Sequence, residues 1–436
     1  MSFFIFDIMK NILAIITLCI VNLCSAQFSV SIKTTNDFIA NEAYLYKLNG
    51  SKDIIIDKTI KKNNSWVFNV KEKYEGLLKV HFPETNSSIS FITENSDVNL
   101  SFDVKNGKVG TVDYLDDANK IFYGLQDQQK KKEQILPALY QIVTFYKSNS
   151  PFGKALNEEI NSLNSSIQYT KEQHPFIDYY TENYKKYLSE SAGAKTPTNQ
   201  EIISFLNSSG YYLETSSLLR PILISFLSNS NKASIGEETD KLINTVNLET
   251  PRGQIILSEL IDIFNVYGIK DLKDKYLTEA KALKCTINDR LAGTIKSNDN
   301  TSVGSLIPNI KFNSVINTKA KSLHDVKADK KILIFWASTC PHCEKEIGEM
   351  LTKYSELKSK NIEIVGFSLD SDKTAYTEKV KLLPWVNDTE LKGWYSSYVD
   401  TYNIHATPTF YIVDSSNKIL SSPDNFVEVL SFLGIK

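Results

Sequence analysis

Cys340 and Cys343 stand three residues apart and enclose Pro341 and His342. Disulfide exchange needs an accessible thiolate and a second thiol close enough to resolve a mixed disulfide. A two-residue gap in the first turn of a helix supplies both. Residues 331–336 form a nearly continuous apolar run of strand type, and residues 343–357 carry helical periodicity. Cys340 therefore falls where a strand hands over to a helix, among backbone N–H groups and a helix dipole that favour negative charge. Pro341 suits an early helical position, where its missing N–H is not needed. Cys340 is expected to attack and Cys343, one turn further in and less exposed, to resolve. Other uses of this spacing fit less well. A structural zinc site wants four ligands, and the chain has no second C-x-x-C. Haem attachment needs a histidine directly after the second cysteine, where Glu344 stands. A purely structural disulfide closing so short a loop adds little chain-entropy stabilisation.

The elements that must position this pair change character along the chain. Residues 28–33, 43–48, 53–60, 65–70, 77–82, 88–93 and 98–104 read as short strands separated by polar turns. Asn49-Gly50 is a hairpin signal, because both residues tolerate positive φ. Trp66, Phe68 and Val70 alternate with Val67 and Asn69 in the period of a strand. An N-terminal antiparallel β-sandwich over 27–113 is predicted. From 114 to 302 apolar residues recur at three and four, as in Ile135, Leu139 and Ile142, or Leu218, Ile222 and Phe226. Breaks rich in Asn, Ser and Pro near 148–151, 195–199, 229–236 and 249–251 punctuate a central α-helical bundle. Residues 297–303 are polar and read as a linker. Beyond them strands at 331–336, 362–368, 409–413 and 418–420 alternate with helical patterns at 343–357, 374–383, 391–402 and 426–432. Such alternation predicts an α/β domain over 303–436. The expected architecture is thus multi-domain.

Composition narrows the function classes. The chain has 436 residues and a formal net charge of −2, so no global field draws it to nucleic acid or acidic membranes. Its only arginines are Arg220, Arg252 and Arg290, which disfavours bidentate phosphate clamps. Lys10, the apolar run 12–23 and the small residues Ser25 and Ala26 read as an export signal over residues 1–26, with cleavage after Ala26. Lipid attachment through Cys24 is the rival, opposed by Leu23, which is not small; an uncleaved anchor is the third possibility. Export places the chain in the periplasm or cell envelope, where disulfides can form. Three cysteines then remain, Cys285, Cys340 and Cys343, too few for a structural framework. No cofactor and no metal is expected.

Phe335-Trp336-Ala337 ahead of the cysteines resembles the active-site strand of the thioredoxin superfamily. Thr407-Pro408-Thr409-Phe410 resembles its second signature, which holds a cis-proline opposite the cysteines; the two lie about 65 residues apart. Within the superfamily, residues 303–436 are most similar to the TlpA/ResA branch of exported reductases. The lead-in 304–312, Ile364-Val365-Gly366-Phe367-Ser368 followed by Asp370, and Tyr411-Ile412-Val413-Asp414 carry that likeness. The resemblance implies a thioredoxin-like fold and thiol–disulfide oxidoreductase activity on protein thiols and disulfides. It implies that Thr407, Pro408 and Trp336 form the substrate-binding surface, Thr407 pairing with a client chain like an added strand. An X-Pro bond adopts cis for only about 0.5–1 kcal/mol. Cytoplasmic thioredoxins place a buried aspartate where Ile334 stands. The ResA-like pattern has a glutamate where Glu346 stands, and it implies proton management for Cys343; a solvated helix glutamate is the alternative. Thr339 replaces the tryptophan of many relatives. His342 matches the dipeptide of the oxidant DsbA and favours the thiolate, whereas the wider domain resembles reductases; the reading leans to a reductase or isomerase recharged by a membrane or periplasmic redox partner.

Remaining residues are weaker signals. Cys285 reads as a buried, inert thiol, with a regulatory partner for Cys340 as the minority reading. His405 reads as a surface histidine near Pro408, and Trp385 and Trp394 as packing or groove-lining residues. Two other functions compete. A thiol peroxidase is disfavoured because neither cysteine has the peroxidatic prefix and residues 303–436 contain no arginine. A partner-binding protein with a redox-sensing C-terminal domain is the other. The front half is expected to recruit a partner or substrate protein.

Overall fold

The computed structural model describes residues 27–35, 37–165, 167–191 and 195–435. The export signal, Cys24 and the cleavage point after Ala26 lie outside the described residues. The chain forms two compact units, with the division between Thr239 and Asp240.

The first unit begins with strands β1 (Phe28–Thr34), β2 (Glu42–Asn49), β3 (Lys52–Ile60), β4 (Ser65–Val70), β5 (Glu75–Phe82), β6 (Ser87–Glu94), β7 (Val98–Lys105) and β8 (Lys108–Tyr114). They make two four-stranded sheets, β4-β1-β7-β8 and β3-β2-β5-β6. One apolar core lies between them, built on Val30, Ile32, Leu45, Trp66, Phe68 and Val80. Phe38 meets Trp66 and Phe82 edge-on, with centroids 5.9 and 5.1 Å apart, an arrangement that suits the aromatic quadrupoles. Pairing is antiparallel except between β1 and β7, which run parallel. Strand β8 was not anticipated. It returns from β7 through Asn106-Gly107, both at positive φ, in the two-residue turn that matches strand twist. At the other Asn-Gly pair the turn is Gly50-Ser51, and only Gly50 takes positive φ.

A run of helices follows, opening with Asp117–Gln134, capped by Asp116. Its buried Asn119 gives and receives hydrogen bonds at the carbonyl and N–H of Ile92 (2.9 and 2.7 Å). This satisfies the outer backbone of the edge strand β6, which would otherwise be a buried orphan. Phe122, Phe176 and Ile177 seal the same contact.

In the second unit, helices Pro251–Val266, Lys270–Ala282 and Asp289–Asn300 precede the α/β domain. Residues 297–300, expected in a linker, complete the last of these. Ser297 and Asn298 bond back to the carbonyls of Gly293 and Thr294 (2.9 Å each), which keeps polar residues helical. The α/β domain contains β9 (Lys330–Trp336), β10 (Ile362–Ser368), β11 (Val386–Thr389), β12 (Thr409–Asp414) and β13 (Ile419–Ser421) in the order β11-β10-β9-β12-β13. Strands β9, β10 and β11 are parallel, while β12 and β13 are antiparallel to their neighbours. Central β9 is apolar almost throughout because both its faces are covered. Ile332, Ile334 and Trp336 meet Ile347 and Met350 of the helix Pro341–Ser359. Leu333 and Phe335 meet Tyr398 and Tyr402 on the other face. Strand β11 was hidden by its polar residues Asn387, Asp388 and Thr389, all buried. The segment 391–402, read as one helix, is a 3-10 turn Gly393–Tyr395 and a short helix Ser397–Thr401. Ser396, extended with ψ 142°, separates the two. Among the described residues no helix is long and apolar enough to cross a membrane.

Candidate active site

Strand β9 runs out at Trp336, and the backbone turns through Ala337, Ser338 and Thr339 into the helix Pro341–Ser359. The turn is clamped from below by Asp370. This buried carboxylate accepts from the N–H of Ser338 (3.0 and 3.1 Å), from its hydroxyl (2.6 Å) and from the hydroxyl of Ser368 (2.7 Å). A charge so well supplied with donors is a fixed anchor. In the sequence Asp370 stands out only through the family resemblance. An acid two residues beyond a largely buried strand is the available sign of a buried, structurally committed carboxylate.

Cys340 is the N-cap of this helix, and its sulfur accepts from the N–H of Cys343 at 3.3 Å. Its thiol also points at the Thr407 carbonyl, 3.4 Å away. The Thr407-Pro408 bond is cis, and β12 begins one residue later, pairing Thr409 with Phe335 of β9. The loop carrying Thr407 is thereby held opposite the start of the helix. Cys340 is partly exposed and Cys343 fully buried; both are thiols here.

The two thiols are pushed apart in acidity. Burial alone would raise Cys340. Hydrogen bonds from the Cys343 and Thr407 side chains and from the backbone N–H groups of Cys343 and His342 outweigh it, and the thiol sits below its ordinary range. Burial pushes Cys343 up to about 12, and its bond with Cys340 adds to the rise, so one proton stays on the inner sulfur. The chemistry available is nucleophilic attack by an outer thiolate, followed by resolution from an inner thiol.

Pro341 and His342 lie exposed in the first turn of the helix. Trp336, expected in the substrate-binding surface, is fully buried and belongs to the core beneath the site. It ends a strand enclosed on both faces, and Gly366 leaves room for it: a Cβ there would lie 3.0 Å from the indole nitrogen. Glu346, expected either to manage the Cys343 proton or to stand as a solvated helix glutamate, accepts from the N–H of Phe426 at 2.6 Å. It ties the active-site helix to the start of the helix Phe426–Leu433, whose free N–H groups attract a carboxylate. Trp385 is core, while Trp394 is exposed. Cys285 is half-buried, and its sulfur accepts from the Gln254 amide at 3.3 Å. Among the described residues no group of three or more His, Cys, Asp or Glu is arranged to hold a metal ion.

The model of the AhpC/TSA family matches residues 303–422. The chain is 26% identical over 129 residues to the thiol-disulfide oxidoreductase ResA of Bacillus cereus, a match covering 29% of this chain and 73% of that protein. It is 28% identical over 133 residues to the ResA of Bacillus anthracis, with the same coverage. Among solved structures, a domain of a possible thiol-disulfide isomerase from Cytophaga hutchinsonii is similar at 25% identity and a TM-score of 0.28, covering 30% of this chain and 91% of that one. The thioredoxin domain of a thiol-disulfide oxidoreductase from Bacteroides vulgatus is similar at 23% identity and a TM-score of 0.28, covering 30% and 96%. The C-terminal part of this chain is thus a thioredoxin-like domain related to thiol-disulfide oxidoreductases of the ResA type. Residues 27–302 are left unassigned by these matches.

Proposed function

We propose that the chain is a protein thiol–disulfide oxidoreductase of the bacterial envelope, working as a reductase or isomerase. The observation that carries this is the placing of the Cys340 sulfur, capping a helix and facing the Thr407 carbonyl, above a buried Cys343. The Cys340 thiolate attacks a client disulfide, and one client sulfur leaves as a thiolate. Cys343 then gives up its proton and attacks Cys340, releasing the second client sulfur and closing the Cys340–Cys343 disulfide. Two electrons pass to the client, so a dithiol-bearing partner in the membrane or periplasm must restore the pair. A client strand lying along Thr407 offers the backbone complement that orients its disulfide. The apolar run 12–23 and the small residues up to Ala26 support export.

A Cys343→Ser chain tests the reading. Cys340 is then expected to accumulate mixed disulfides with client proteins, separable on non-reducing gels and absent from Cys340→Ser. If no adduct forms while the protein stays folded, the exchange mechanism is wrong. The AhpC/TSA match makes thiol peroxidase chemistry the second reading. Consumption of hydrogen peroxide by the reduced wild type, lost in Cys340→Ser, would select it.

A further inference from the structure

Arg290 is buried in the second unit and is held from two sides. Its guanidinium donates to Glu259 (3.1 Å) and Asp262 (2.6 Å), and also to the Thr294 hydroxyl (2.6 Å). The side chains of Arg290, Glu259 and Asp262 are 4%, 0% and 5% exposed. These charge-assisted bonds hold both carboxylates in place on their helix. His405 approaches Asp262 from the loop. Its Nε2 lies 3.8 Å from Asp262 Oδ1 and donates to Asn403 Oδ1 at 2.9 Å.

The location of His405 gives the cluster a use. It precedes Thr407, whose carbonyl meets the Cys340 thiol, by two residues. The loop is tied downstream by β12 and by the Thr409 hydroxyl on the Ala406 carbonyl (2.7 Å). Upstream, Ile404 is buried and bonds to the Val399 carbonyl (2.9 Å). Through His405 the middle of this loop comes within 3.8 Å of a helix outside residues 303–422, the stretch that the family model matches. A helix is a stiff support, and the buried guanidinium fixes the rotamer of Asp262 on it.

We propose that the helix Pro251–Val266 is part of the redox site: Asp262, clamped by Arg290, is a positioning residue that holds His405 and, through it, the Thr407 backbone on which a client polypeptide docks. This rests on the oxidoreductase reading for the client, but not for the geometry. The docking edge is therefore set by the helices that precede the thioredoxin-like core as well as by the core itself.

The test uses the full chain with His405→Leu, His405→Gln and Asp262→Asn, read by hydrogen exchange of the segment 403–411, insulin reduction and Cys340 alkylation. His405→Leu is expected to speed exchange in 403–411 by about tenfold and to raise the KM for insulin about fivefold. Its kcat and iodoacetamide rate should stay within about twofold of wild type. His405→Gln, which keeps a donor, should restore both values, and Asp262→Asn should reproduce part of the loss. Unchanged exchange and KM in His405→Leu overturn the proposal. So does a loss spread over the whole domain that glutamine does not rescue, since that is ordinary destabilisation. If wild type fails to reduce insulin but exchange in 403–411 still responds to His405, the positioning holds and the oxidoreductase reading falls.

Discussion

At the scale of the residue, the pair of cysteines works by contrast. The same bond that lowers Cys340 raises Cys343, so ionising the outer sulfur and protonating the inner one are a single arrangement. The pH dependence follows in sign. A thiol whose pKa lies below the ordinary value of about 8.5 is largely thiolate at a lower pH, so its reactivity rises and levels off earlier as pH increases. Iodoacetamide alkylation of Cys340 in the reduced wild type should show a midpoint below that of a free cysteine, with Cys343 unmodified at neutral pH. A midpoint at or above that of a free cysteine would remove the activated nucleophile. Asp370 acts at the same scale by a different route: it touches neither sulfur but fixes the turn from which Cys340 projects.

At the scale of the element, burial decides which polar residues become constraints. His81 of β5 is 4% exposed, with its Nδ1 3.0 Å from the Ser88 hydroxyl. Burial pulls its pKa down to about 4, against a smaller upward push from the Ser87 backbone. Its folded pKa lies below the unfolded value of about 6.5, so the proton prefers the unfolded chain. Stability is complete above pH 6.5 and falls as pH drops from there towards 4, by at most about 3 kcal/mol. The urea midpoint of the β-sandwich should decline over that window, and His81→Gln should flatten the decline. An equal slope in both chains would assign the acid sensitivity elsewhere.

At the scale of the whole molecule, the second compact unit begins at Asp240, well before the stretch that resembles known oxidoreductases. Asn300 donates to the Thr401 carbonyl at 3.3 Å, and the Gly304 and Ile307 N–H groups bond to the carbonyls of Ile419 and Asn417 (2.8 and 2.9 Å). A chain cut to 303–436 keeps the last two of these and loses the first, together with Asp262 and Arg290. Residues 240–436 should therefore melt several degrees above residues 303–436, since 1 kcal/mol moves a domain of this size by about 2–8 °C. Equal melting temperatures would show that the preceding helices add nothing to the domain. Both fragments should reduce insulin if the proposed activity is right, whereas binding of a physiological partner should need residues 27–239 as well.

Local chemistry and local periodicities can be read along the chain. Cys340, Cys343 and Thr407-Pro408 were legible because each is a short pattern with its own physical reason. The alternation of Trp66, Phe68 and Val70 and the apolar run of β9 were legible because one covered face, or two, leaves a period in the chain. The roles of the polar residues emerge only from packing. Glu346 became a helix clamp, Trp336 a core residue, Asp370 the support of the active-site turn, and β11 a strand despite its composition. The reason is that hydrophobic burial is written along a segment, whereas the partner of a buried polar group arrives from a distant part of the chain. That pairing exists only once the elements have packed.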